Sequence, residues 1–295
     1  MTILANWLPG GRRGAICLTV DDVHPAPPAW AALEQLRRLQ DRHPGLRVTF
    51  FTTADWRSIA PFPDGRLVSR VPWLRDHVWA VPVLPRGTWR VDRHEDFCAT
   101  LRSWPRGEVA SHGLHHVRRG PQPIAEFAGR SERACRGVLR ESLEILESAR
   151  LPLVRGLCPP GWVATPSLIR AMEALEMSFL ASARDLATPV SGDATTSGSG
   201  LRGVSLIHPQ RIGRSLVHFT TNFQANCTLE RAVAIIEHGG LLAMKAHLLA
   251  GAGSYRAMDG LTAEYCGFLD GILSALEDRY GSELYWTSMG ELACT

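Results

Sequence analysis

The chain reads as an α/β protein built around a parallel sheet or barrel. Strand-like apolar runs alternate with helical periodicity along most of its length. It opens on a strand–helix–strand unit, the arrangement that sets neighbouring strands parallel. Residues with ionisable or metal-ligating side chains cluster just after predicted strands, where parallel sheets and barrels gather their function. A length of 295 residues suffices for one substantial core, so a single domain over 1–295 is expected.

Ala15 to Val20 (AICLTV) is short, apolar and entered through glycines, which predicts a buried strand. In Ala29 to Arg42, Trp30, Leu33, Leu36 and Leu39 recur at helical spacing, and Leu46 to Thr52 reads as the second strand. From Ala54 to Pro105 the periodicity breaks down. Prolines are frequent there, Trp56, Trp73, Trp79, Trp89 and Trp104 all fall in it, and a strand at Val78 to Leu84 and a helix at Glu95 to Arg102 are expected. We expect this stretch to be a pocket-forming insertion, although core packing is the commoner fate of any single tryptophan. Glu108 to Ser111 is a third strand, and Ile124 to Ala149 a long amphipathic helix. A short strand from Leu153 then runs into Cys158-Pro159-Pro160-Gly161-Trp162, where the prolines restrict the backbone and hold Trp162 in place.

The alternation continues with a helix over Ser167–Leu175 and strands over Met177–Ala183 and Leu216–Thr220. A helix over Leu229–His238, closed by Gly239-Gly240, leads to a strand over Leu241–Ala246 that ends in His247. A helix over Thr262–Tyr280 and a strand in LYWTSM end the chain. Pro189 to Gly203, rich in Gly, Ser and Thr, is expected to be a mobile surface loop.

The 32 basic and 29 acidic residues nearly balance, which argues against nucleic acid or an anionic membrane as partner. The basic residues are almost all scattered arginines; Lys245 is the only lysine. No run of about 18 apolar residues predicts a membrane span. The N-terminus lacks a basic start followed by an apolar stretch of secretory length, so a cytoplasmic location is expected. The seven cysteines are widely spaced and contain no CxxC pair, which favours small core residues over a disulfide framework or a cysteine zinc site. The oligomeric state is not legible.

Chemistry concentrates in two places. Gly107 to Arg118 (GEVASHGLHHVR) holds His112, His115 and His116, and neutral imidazole is the commonest protein ligand for a transition metal. His112 and His116 stand four residues apart, on one side of a helical turn. Asp21 and Asp22 end the first strand, where adjacent carboxylates do little for stability. Most Asp-Asp pairs are solvated turns and a histidine cluster can be a packed one, but strand ends converge in a wound sheet. One carboxylate and two imidazoles then form a metal site with room for water and substrate. The second carboxylate can act as general base, and His247 can protonate a leaving amine.

These features resemble the polysaccharide deacetylases, the NodB-homology group of carbohydrate esterase family 4. The resemblance rests on the strand ending in Asp21-Asp22, the His112-x3-His116 turn, the Pro-Pro-Gly-Trp loop and the late strand ending in His247, in the family's order. It implies a distorted (β/α) barrel of about seven strands and a divalent metal, zinc foremost, with Co2+, Ni2+ or Mn2+ as alternatives. It also implies Asp21 as general base, Asp22, His112 and His116 as metal ligands, His247 as general acid and Trp162 as pocket wall. Pro160, His24 and Arg155 complete the expected substrate-binding set. The sequence departs from the family in Val20 for phenylalanine before the aspartates, in Gly113 and in Val117. Cys158 stands where the family often has an arginine that orients the catalytic aspartate, and Arg155 is a candidate substitute.

The expected activity is metal-dependent removal of an N-acyl group, foremost N-acetyl, from an amino sugar or a sugar-containing small molecule such as a natural-product intermediate. Two alternatives stay open: a non-catalytic carbohydrate-binding relative, and a hydrolase of another C–N bond such as a cyclic imide.

Overall fold

Strands covered by helices on one face and packed on each other across the other must be apolar on both, and the inner strands here have that composition. The structure is a computed structural model that describes residues 1–27, 29–58, 83–119, 122, 124–198, 201–249, 251–252 and 255–294. Seven parallel strands form its centre: β1 (Gly14–Val23), β2 (Val48–Thr52), β3 (Gly107–Ser111), β4 (Leu153–Leu157), β5 (Phe179–Arg184), β6 (Leu216–Thr221) and β7 (Leu241–His247). Their spatial order is β7-β1-β2-β3-β4-β5-β6. Leu284–Trp286 adds a short parallel strand beside β1, while Gln210–Ile212 and Thr2–Ile3 extend the sheet antiparallel beyond β6.

The barrel is not closed by a continuous ladder. Between β6 and β7 a single bridge joins Phe223 to Met244. Asn222 N donates to Ala243 O and Lys245 N to Phe223 O, and the Asn222 side chain adds to the seam, donating to Leu206 O and Leu241 O and accepting from Ala243 N. Here lies the distortion of the (β/α) barrel.

Helices α1 (Ala29–Arg42), α2 (Glu95–Arg102), α3 (Glu132–Ser148), α4 (Pro166–Glu173), α5 (Leu229–Glu237), α6 (Ala263–Tyr280) and α7 (Met289–Ala293) accompany the sheet. α3 begins eight residues later than the periodicity predicts, because Ser131 caps it by accepting from Ala134 N and the preceding residues form turns. The final strand stops at Trp286, and a capping box of Ser288 and Glu291 opens α7, which the sequence reading lacked. Leu4 and Trp7 from the N-terminus and Met289 and Leu292 of α7 pack into a cluster with Ala15, Cys17, Phe51, Ala110, Phe179, Phe219 and Ala243. Small and aromatic side chains alternate there to fill the interior, as narrow barrels require.

In the tryptophan-rich stretch, Asp55–Trp56 pairs antiparallel with Trp89–Arg90. Residues 59–82, including Trp73, Trp79 and most of the expected Val78–Leu84 strand, lie outside the described residues. Trp104 belongs to the core: it packs edge-on against Phe50 and donates to Gln40 Oε1. In Pro189–Gly203, Thr195–Thr196 pairs with Val204–Ser205, and residues 199–200 lie outside the described set. No described helix is long and apolar enough to cross a membrane.

Candidate metal centre and active site

Side chains alternate across a strand, so the interior row of each strand points on to whatever its end presents. On β1 the row Ala15, Cys17, Thr19 ends in Asp21, and on β7 the row Leu241, Ala243, Lys245 ends in His247. The two strands pair in register with Lys245 opposite Thr19 and His247 opposite Asp21. Register between β1 and β2 shifts between Val20 and Val23, and Asp22 takes a left-handed backbone at φ 58°. This irregularity lets adjacent aspartates serve different partners.

Asp22 faces the histidine turn after β3. Its Oδ1 lies 3.1 Å from His112 Nε2 and 3.1 Å from His116 Nε2. That oxygen is buried yet makes no hydrogen bond with either ring. Three donor atoms drawn together without pointing at one another is the arrangement that a shared cation explains, and the separations suit tetrahedral ligands about 2.0–2.2 Å from zinc. Burial alone would raise the Asp22 carboxyl, but His116 and His112 hold it well below its ordinary value. His112 Nδ1 lies 2.7 Å from Cys158 O, so it carries the proton and leaves Nε2 free to ligate. The set therefore fits a divalent metal. His115 turns away, with Nδ1 3.0 Å from Asp55 O and 3.4 Å from Asp55 Oδ2. His116 approaches the Asp22 oxygen with His112, and His115 does not.

The turn itself rests on a residue that the sequence reading did not single out. Glu126 is 1% exposed, and its carboxylate accepts from Leu114 N at 2.9 Å and His115 N at 3.0 Å. Gly113, at φ 79°, passes so close that a Cβ would stand 2.3 Å from Glu126 Oε2 and 3.1 Å from Pro160 Cγ. A side chain at this position would have to displace Glu126 or Pro160, on a backbone that suits glycine.

Asp21 is 1% exposed and its two oxygens differ. Oδ2 accepts from Lys245 Nζ, from Cys158 Sγ at 3.3 Å and from Trp162 Nε1 at 3.3 Å. Oδ1 is buried with no hydrogen-bond partner. Burial would raise this carboxyl too, but Lys245 outweighs it and keeps Asp21 below its ordinary value, while Asp21 in turn holds Lys245 protonated above its own. One oxygen is saturated by donors and the other is left free and charged, as a general base requires. Asp21, His112 and Cys158 also bring donor atoms together, but burial keeps the Cys158 proton on sulfur, where it bonds Asp21. That set is a hydrogen-bonded one.

Across from Asp21, His247 Nδ1 lies 2.8 Å from Asp259 Oδ2. Burial lowers the His247 pKa, but Asp259 more than offsets it and the net value is raised. Asp259 also accepts from Gln224 Nε2. His247, Trp162, Arg184, Gln224 and Met258 line a cleft of about 510 Å3.

Of the four expected substrate-binding residues, only Trp162 lines that cleft. Arg155 is half exposed on β4 and pairs with Glu147 of α3 at 3.4 Å, so it does not stand in for the missing arginine. The cation on Asp21 comes from Lys245. His24 is buried, stacked on Trp56 at 4.1 Å, and burial lowers it to about 4, so it is a neutral wedge behind the site. Pro160 is buried against the histidine turn. Lys245 left one signal in the sequence: the sole lysine lies in an apolar strand, two residues before His247 and hence on the same face.

No family model and no curated protein matches the sequence. Among solved structures, a "putative polysaccharide deacetylase" from Mycobacterium smegmatis superposes with a TM-score of 0.61 at 13% identity, over 99% of this chain and 92% of that one. The chain has the polysaccharide deacetylase fold. The Puue allantoinase shares it with a TM-score of 0.54 at 11% identity, over 97% of this chain and 91% of the other. A CE4 family pseudoenzyme from Bacillus anthracis superposes at 0.48 and 14% identity, over 95% of this chain and 65% of that one.

Proposed function

We propose that this protein is a metal-dependent hydrolase that removes an N-acyl group, foremost N-acetyl, from an amino sugar or a sugar-containing small molecule. The observation that carries the reading is the division of labour between neighbours: Asp22 converges with His112 and His116, while Asp21 presents a free, charged oxygen beside them. A sugar-binding module has no use for a buried carboxylate kept ionised by a buried lysine.

Asp22, His112 and His116 would hold the metal, and zinc leads the first-row ions that suit two imidazoles and a carboxylate. Bound there, it would polarise the amide carbonyl and make hydroxide accessible near neutral pH. Asp21 Oδ1 takes the proton of the attacking water, with Lys245, Cys158 and Trp162 fixing the carboxylate from its other side. His247, oriented through Nδ1 by Asp259, delivers a proton to the departing amine. Trp162 offers the flat apolar surface on which a sugar ring packs.

Elemental analysis of the purified protein tests the centre: about one zinc per chain is expected, with loss in Asp22→Ala. Absence of stoichiometric metal in the parent protein defeats the reading. Acetate release from a panel of N-acetylated sugars tests the chemistry, and Asp21→Asn should lower it on the order of 10²–10⁴-fold. Cyclic imides and ureides belong in the panel, because the same base, acid and metal ligands suit that C–N bond and the allantoinase shares the fold.

A further inference from the structure

Arg184 closes β5 and stands exposed in the cleft, its Cζ 5.3 Å from the centroid of Trp162. Its Nε donates to Gln224 Oε1 at 2.5 Å. Its two terminal nitrogens have no hydrogen-bond partner among the described residues, and no described carboxylate pairs with it. The nearby acids are engaged elsewhere. Asp185 accepts from Ala187 N, Thr188 N and Thr188 Oγ1 within its own turn. Asp259 is taken by His247 and Gln224, and Asp21, through Oδ2, by Lys245, Cys158 and Trp162.

The guanidinium is thus fixed through Nε, while its outer edge, the fork that matches carboxylate or phosphate oxygens, is unclaimed. Gln224 ties it to the Asp259–His247 pair, so its position is coupled to the group assigned as the acid. Trp162 touches both groups: Arg184 lies over its ring, and its Nε1 donates to Asp21 Oδ2. Arg184 lines the same cleft as His247, so a ligand whose amide meets His247 lies within that cleft beside Arg184.

We infer that the substrate is anionic: it carries, besides the acylated nitrogen, a carboxylate or phosphate group that the Arg184 fork binds. This rests on the hydrolase reading of the same site. The proposal follows from the unclaimed cation and the engaged acids, because a neutral glycan leaves a positioned guanidinium with nothing to bind.

The test is calorimetric binding of glucosamine, glucosamine 6-phosphate, glucosamine 1-phosphate and muramic acid to the zinc-loaded protein. Zinc content and acetate release from the matching N-acetyl compounds are measured on the same samples. At least one anionic ligand should bind about tenfold more tightly than glucosamine, roughly 1.4 kcal/mol. Phosphate arms and the carboxylate arm distinguish the two anion types. Arg184→Gln should reduce the preference to less than twofold, and Arg184→Lys should keep part of it. A preference that survives Arg184→Gln, or no preference for any anion, overturns the inference. Acetate release without an Arg184-dependent preference defeats this inference alone, whereas the preference without acetate release defeats only the hydrolase reading.

Discussion

A buried carboxylate stays ionised only while something holds its charge, and at Asp21 that group is Lys245. The pair is 1% exposed on both sides, so removing one member strands the other. Lys245→Met should cost about 3–5 kcal/mol of unfolding free energy by denaturant titration, the price of an uncompensated buried charge. It should also lower turnover as strongly as Asp21→Asn, since Asp21 would then take up a proton. Adding Cys158→Arg to Lys245→Met returns a cation to the position where the family resemblance places one, and part of both losses should be recovered. A double variant no better than Lys245→Met would show that the cation acts only from β7. His247 gives the corresponding pH signature. Because Asp259 raises its pKa against burial, the protonated acid persists to higher pH, and the alkaline limb of kcat/KM marks its loss. Asp259→Asn removes that charge, so the limb should move to lower pH.

The elements that carry these residues are irregular where the chemistry sits. Asp22, His116 and Trp162 all adopt left-handed backbone, at φ 58°, 55° and 53°. Such conformations cost about 1–3 kcal/mol each and persist only where the surroundings enforce them. At the histidine turn the enforcing group is Glu126, held against Gly113 and two backbone amides. Glu126→Ala should loosen the spacing of His112 and His116 and weaken zinc binding about 10–100-fold in a chelator competition titration. Gly113→Ala should act in the same direction, because its methyl group meets Glu126 and Pro160. Unchanged zinc affinity in both would mean that the turn holds its shape without this support.

At the scale of the whole molecule, the seam between β6 and β7 matters most, since β7 delivers both Lys245 and His247. The Asn222 side chain adds three hydrogen bonds to it. Asn222→Ala leaves those buried backbone groups unsatisfied and should cost about 1–3 kcal/mol. It should also speed hydrogen exchange at the Ala243 amide, which now donates to the Asn222 side chain. Protection equal to that of the parent protein would place the closure of the seam elsewhere.

Local pattern determined a good deal of this protein. The apolar runs, the helical spacing of Leu33, Leu36 and Leu39, and the strand-end positions of Asp21, Asp22 and His247 were legible because each depends on residues near it in the chain. His112 and His116 do meet at Asp22, but through a bend with left-handed backbone at Gly113 and His116 and not the helical turn that their spacing suggests. The capped start of α3 and the short helix α7 were harder to read, because a single Ser131 or Ser288 side chain decides them. What tertiary structure alone decided is which charges meet. Lys245 lies 224 residues from Asp21, and only the register of β7 on β1 brings it there. Arg155, three residues from the family's arginine position, faces Glu147 because its strand aims it outward. Arg184, Gln224 and Asp259 come from different segments and become one hydrogen-bonded chain only where the cleft assembles them. Sequence spacing reports neighbours along the chain; a buried carboxylate is neutralised by whichever cation the sheet order places beside it.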